Sequence, residues 1–168
     1  MSDVFVAVLM GSDSDLAVMQ HTIDVLKGFD VAVEVRILSA HRVPEDTRNY
    51  VLDAERRGCA VFIAAAGLAA HLAGAVAAST CRPVIGVPMA AGSLQGMDAL
   101  LSTVQMPGGV PVACVAIGKP GAQNAAHLAV QILSLQDADL YQQLQESRRA
   151  MSDRVRAKDR QLAQTHTT

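Results

Sequence analysis

Continuous apolar runs alternate with segments of helical periodicity along most of this chain. The first run, Val4 to Met10 (VFVAVLM), has no polar position and predicts a parallel strand buried on both faces. Leu16, Met19, Ile23 and Leu26 then recur at spacings of three and four, predicting a helix closed by Gly28. The β-branched run from Val31 to Leu38 predicts a second strand. A polar helix follows from about Glu45 to Arg57, with Pro44 suited to a first turn and Gly58 to the stop. Ala60 to Ala65 reads as strand three, and Ala69 to Ala78 as a helix with hardly any polar face. A helix apolar all round has to be buried on every side, which in so small a domain implies a subunit interface. Pro83 to Val87 is a short fourth strand, and Pro88 to Gly96 a loop of small residues suited to backbone lining over a ligand. Met97 to Val104 predicts a helix, Val110 to Ile117 strand five, and Ala122 to Leu135 another helix. From Asp137 onward Leu140, Leu144, Met151 and Val155 mark an amphipathic helix able to lie across a neighbouring subunit. The residues past Arg160 read as a frayed polar tail. With no repeat, linker or composition break, the pattern predicts one domain over residues 1–160 and a tail over 161–168. Strands interleaved with helices predict a parallel, doubly wound sheet of five strands.

Composition narrows the function classes. Hydrophobic residues make up 51% of the 168 positions but aromatics only 3%, so the core is built from Ala, Val, Leu, Ile and Met. Such side chains each bury little area, which again points to partner subunits. A net charge of −2 without a long basic run argues against a nucleic-acid surface. Cys59, Cys81 and Cys114 lack metal-ligand spacing, and their odd number fits a reducing, cytoplasmic setting in which they are small buried hydrophobes. The start, Met1-Ser-Asp-Val, lacks the pattern of a signal peptide. Residues 60–81 carry no formal charge and are long enough to span a bilayer. Their Ala/Gly content, His71 and the break near Gly67 fit a strand and a buried helix better, so no membrane is expected.

Chemistry concentrates where predicted strands end. Ser39-Ala40-His41-Arg42-Val43-Pro44 joins strand two to the next helix, at the edge where open α/β sheets bind ligands. Arg offers a fixed fork for phosphate or carboxylate, and histidine as a residue type titrates near neutral pH. On this stretch alone, two solvated loop residues are an equally good reading. Gly11-Ser12-Asp13-Ser14-Asp15 follows strand one, where backbone N–H groups and Ser12 can face an anion at a helix start. Neither a Walker loop nor GxGxxG is present. Asp15 suits hydroxyls such as those of a ribose, or a simple capping role. His71 is the one ionisable group of the apolar helix, and a satisfied core histidine is the ordinary outcome there.

Taken together, GSDSD at 11–15, SAHRVP at 39–44, AAGLAAHLAG at 65–74, the stretch 86–118 and GAQNAAHLA at 121–129 strongly resemble the class I 5-carboxyaminoimidazole ribonucleotide mutases (PurE) of purine biosynthesis. The likeness runs from about Val4 to Asp153. It implies a flavodoxin-like three-layer α/β/α sandwich, with a central parallel sheet of about five strands and a C-terminal helix, assembled as a homo-octamer. The implied partners are a ribonucleotide substrate and CO2, with a functional link to the ATP-dependent carboxyaminoimidazole ribonucleotide synthetase. The implied reaction moves a carboxylate between the exocyclic amine and ring C4 and uses no cofactor, neither ATP nor metal. Carried onto this chain, the family's substrate contacts fall on Ser12, Asp15, Ser39 and Arg42, and its pocket histidines on His41 and His71. The family often has GAGGAAHLPG where this chain carries Ala65, Leu68 and Ala73 in place of two glycines and a proline, and its common Trp is Leu16 here.

Two rivals remain from the sequence. Direct carboxylation by CO2, the class II activity, belongs to relatives that lack the AHL histidine. A non-catalytic flavodoxin-like module would need stacking aromatics for flavin, or an acidic cluster and a Lys for a receiver. Three Phe, two Tyr and no Trp supply few of the former, and Lys119 alone does not make the latter.

Overall fold

The computed structural model describes residues 4–166. Five parallel strands form one sheet in the order β2-β1-β3-β4-β5: β1 (Phe5–Met10), β2 (Ala32–Ile37), β3 (Cys59–Ala66), β4 (Val84–Pro88) and β5 (Ala113–Cys114). Between and after them come α1 (Leu16–Gly28), α2 (Pro44–Arg57), α3 (Leu72–Ala77), α4 (Met97–Val104), α5 (Lys119–Leu133) and α6 (Ala138–His166). The chain separates into two compact units that divide after Ala129. The first holds the whole sheet; the second holds the end of α5 and all of α6.

Both faces of the central strands are covered, as all-parallel strands require, while the edge strand β2 is partly exposed. Every residue of β1 is buried. Phe5, Ala7 and Leu9 share a core cluster with Phe62 and Ala64 of β3, Tyr50, Val51 and Ala54 of α2, and Leu72, Ala73 and Val76 of α3. Val6, Val8 and Met10 alternate with them and face the other side. On that other side α1 meets the first turns of α5, where the buried Thr22 hydroxyl donates to the Ala122 carbonyl at 2.7 Å. Phe29 meets the His127 ring edge-on at 5.7 Å.

Close packing in the middle of the sheet depends on Gly86. A Cβ there would lie 2.3 Å from Thr103 Cγ2 and 3.0 Å from Val112 Cγ1. Thr103 cannot swing away, because it is buried and its hydroxyl donates to the Ala99 carbonyl at 2.7 Å. Gly86→Ala is therefore expected to lose about 1–3 kcal/mol through overpacking, although alanine is the better strand former. Urea denaturation checks this, and an unchanged midpoint would show that α4 yields.

At the outer edge, β2 is tied to α2 by a polar network. Arg57 pairs with the Glu34 carboxylate through both terminal nitrogens, and Tyr50 donates its hydroxyl to Glu34 at 3.0 Å. The guanidinium holds the Glu34 carboxyl below its usual range, while burial pushes the Tyr50 phenol up. These ties fix the two elements that bracket Ser39–Val43.

Several expectations need correction. The all-apolar helix is shorter, Leu72–Ala77, because residues 67–71 form a tight turn in which the His71 N–H donates to the Ala69 carbonyl at 2.9 Å. It is buried on one face through Leu72, Ala73 and Val76, while Ala75 is exposed. Strand five shrinks to two residues, since Pro111 has no N–H to donate and only β4 lies alongside. Beyond it Val115 and Gly118 still donate to Gly86 and Pro88 at 3.0 and 2.8 Å. Helix α6 continues through residues 161–166, all exposed, where a frayed tail was expected. Of the cysteines only Cys59 is buried, with its thiol pushed up to about 11 by desolvation; Cys81 is exposed. Among the described residues no helix is long and apolar enough to cross a membrane.

Candidate active site

A cavity of about 490 Å³ opens at the carboxyl ends of β1, β2 and β3. This is the crevice where the strand order reverses, from β1–β2 on one side to β1–β3–β4 on the other. Each strand delivers a short loop to it. After β1 come Gly11, Ser12, Ser14 and Asp15; after β2, Ser39 to Arg42; after β3, Ala66 to Ala69, His71 and Leu72; after β4, Ala91. All six residues singled out from the sequence therefore line one cavity.

The β1 loop is a single 3-10 turn, Asp13–Asp15, feeding directly into α1. Ser12 caps it in extended conformation, its Oγ accepting from the Ser14 N–H at 3.3 Å and from the Ser14 hydroxyl at 3.0 Å. The loop thus points the positive end of a 13-residue helix at the cavity. Asp15 is buried there, and desolvation raises its carboxyl above the ordinary value; the hydrogen bond to the Ser12 backbone offsets part of that.

Arg42 is held at the mouth by neutral acceptors. Its Nη2 donates to the Gly11 carbonyl at 3.1 Å and its Nε to Ser39 Oγ at 3.4 Å. Ser39 Oγ also accepts from the Arg42 backbone N–H at 3.3 Å, making a compact turn that Val43 continues by donating to the Ser39 carbonyl at 2.9 Å. A guanidinium oriented through uncharged oxygens keeps its positive charge for an anion.

Across the cavity the two histidines meet. His41 Nε2 lies 2.8 Å from His71 Nδ1, with ring centroids 4.9 Å apart and planes at 82°. At that distance one proton lies between the two nitrogens, so one ring donates and the other accepts. The pair can accept a proton from one position of a bound molecule and return one at another. Nothing in the sequence indicated contact between residues thirty positions apart on different loops.

The sequence marked Leu68 as a departure from the family motif but not its backbone conformation. Leu68 has a φ of 55°, a left-handed conformation uncommon for a branched side chain, and it lines the cavity 53% exposed. Such a conformation costs about 1–3 kcal/mol. The one available signal was a leucine where the family motif has glycine.

The chain matches the family model described as AIR carboxylase over residues 5–154. It belongs to that family. A Mycobacterium leprae protein named N5-carboxyaminoimidazole ribonucleotide mutase is 53% identical over 157 residues, covering 94% of this chain and 91% of that protein. The protein of the same name from Escherichia coli K12 is 48% identical, covering 89% of each. The crystal structure of Treponema denticola PurE superimposes with a TM-score of 0.85 at 29% identity, over 94% of this chain and 98% of that one. The five-stranded parallel sheet with its helices is the α/β, flavodoxin-like fold of that family.

Proposed function

We propose that this chain is an N5-carboxyaminoimidazole ribonucleotide mutase, an isomerase of de novo purine (IMP) biosynthesis. It reversibly converts N5-carboxyaminoimidazole ribonucleotide to 4-carboxy-5-aminoimidazole ribonucleotide. The observation that carries the reading is the His41–His71 pair, 2.8 Å apart on the wall of a cavity that Ser12, Asp15 and Arg42 also line.

Arg42 and the N–H groups around Ser12 take the phosphate, helped by the α1 N-terminus. Ser39 keeps the Arg42 fork in place, and Asp15 accepts hydrogen bonds from the ribose hydroxyls. In the reaction the carbamate N–C bond breaks with its electron pair going to nitrogen, which takes up a proton, and CO2 is released inside the site. The electron-rich C4 then attacks that CO2, forming the new C–C bond, and C4 gives its proton to His41. The net transfer is one carboxylate from nitrogen to C4 and one proton from C4 to nitrogen. A pair of imidazoles sharing a proton supplies both halves of that exchange. Small apolar wall residues, Ala66, Gly67, Ala69 and Ala91, exclude water from the CO2.

The working enzyme is a cytoplasmic homo-octamer whose catalytic unit is residues 1–160. It takes its labile carbamate from the ATP-dependent carboxyaminoimidazole ribonucleotide synthetase.

The test supplies purified protein with the carbamate and, separately, with aminoimidazole ribonucleotide plus CO2, at low bicarbonate and without ATP. Fast conversion of the carbamate with slow use of the unmodified ribonucleotide is expected. Preference for free CO2 would instead make the enzyme a direct carboxylase, and activity on neither would leave a binding module.

A further inference from the structure

Leu68, in the lining of the cavity, stands against Gly92, the first on the turn after β3 and the second on the loop after β4. A Cβ on Gly92 would lie 2.5 Å from Leu68 Cδ2, so the isobutyl group occupies the space that any other residue at 92 would need. Both residues have positive φ, 55° at Leu68 and 67° at Gly92. At 92 the residue type matches the conformation; at 68 it opposes it. Glycine at 68 would adopt the same turn without strain, so the turn itself does not call for leucine. What leucine adds is an apolar strap, a branched four-carbon side chain that reaches from the cavity lining to the next loop. The loop it reaches carries Ala91, itself a cavity-lining residue, whose Cβ packs near Gly67. Strain kept at a functional cavity, where a relaxed alternative exists, points to a role in the chemistry.

We propose that Leu68, seated on Gly92, is the residue that retains CO2 in this enzyme between its release from nitrogen and its capture at C4. The proposal rests on the mutase reading above and assigns one residue to a step that reading leaves to the walls in general. An uncharged, non-polar CO2 makes no strong hydrogen bond, so its escape is governed by how completely apolar groups close the opening. With the strap in place, apolar carbon spans the turn after β3 and the loop after β4 beside the cavity. When it is shortened, CO2 exchanges with the solvent pool before C4 attacks.

The experiment gives the enzyme carbamate labelled with 13C in its carboxylate, in unlabelled bicarbonate with carbonic anhydrase present. It then measures the label retained in the C4-carboxylated product. The parent enzyme is expected to retain most of it. Leu68→Ala, which keeps the Cβ and removes the strap, is expected to release label about tenfold more often per turnover. Leu68→Gly is expected to do the same while melting no lower than Leu68→Ala, because it relieves the positive φ. Lost label with unchanged melting and ribonucleotide affinity supports the role. Unchanged retention in both variants overturns it, and so does label loss accompanied by a fall in melting temperature or affinity, which would make Leu68 a packing residue. Failure of the parent to convert the carbamate at all would overturn the mutase reading itself, a result separable from either.

Discussion

His41→Asn is expected to lower kcat by at least about 1,000-fold while leaving ribonucleotide affinity within a few-fold of the parent. The argument rests on what the imidazole supplies and asparagine does not. An asparagine amide cannot accept a proton at neutral pH, so the C4 proton loses its acceptor. Its amide ends level with the Nδ1 of His41, short of the Nε2 that meets His71 Nδ1 at 2.8 Å, so the bond between the pair is lost together with the base. Binding depends on other loops: Arg42 is oriented by the Gly11 carbonyl and Ser39, and Ser12 by its own turn. Single-turnover kinetics with the carbamate, alongside equilibrium titration with aminoimidazole ribonucleotide, separate the two effects. Turnover within tenfold of the parent would remove His41 from the proton transfer and leave His71 to carry it. Loss of affinity in step with kcat would mean that His41 holds substrate instead.

The sequence was most informative where polarity alone decides structure. The apolar run read as a doubly buried strand is one over Phe5–Met10, and Gly58, with φ at 106°, ends α2 where the pattern stopped. Loops that follow such strands inherit their position from the sheet, which is why Ser12, Ser39, His41 and Arg42 were legible as neighbours of one crevice. The apolar stretch after β3 was harder, because hydropathy cannot distinguish a helix from a tight turn made of Ala, Gly and Leu. Residues 69–71, expected to begin the helix, continue the turn instead, and that turn aims His71 at His41. Its key feature is a backbone dihedral at Leu68, a quantity to which side-chain periodicity is blind. β5 failed for a related reason: an apolar run reads as a strand whether or not its backbone donors exist, and Pro111 removes one.

Asp15→Asn is expected to weaken ribonucleotide binding by about 10- to 100-fold, the range for losing a charge-assisted hydrogen bond, and at the same time to stabilise the fold at neutral pH. The two effects share one cause. Burial raises the Asp15 carboxyl above its ordinary value of 3.8, so the folded protein holds its proton more tightly than the unfolded chain does. A carboxyl raised in this sense favours folding fully below pH 3.8 and loses that contribution as pH climbs through the raised value. At pH 7 the parent therefore carries a buried charge that opposes folding, and asparagine, neutral at every pH, does not. The variant is expected to melt higher at pH 7, with the difference shrinking as acid protonates the parent and gone below pH 3.8. A charge held at a cost to the fold needs a use, and in this cavity the carboxylate faces the place proposed for the ribose. Thermal melts across pH, run beside ribonucleotide titrations, read both effects. A variant that melts lower at pH 7 would show that Asp15 serves the α1 N-terminus, and unchanged affinity would release it from the substrate site.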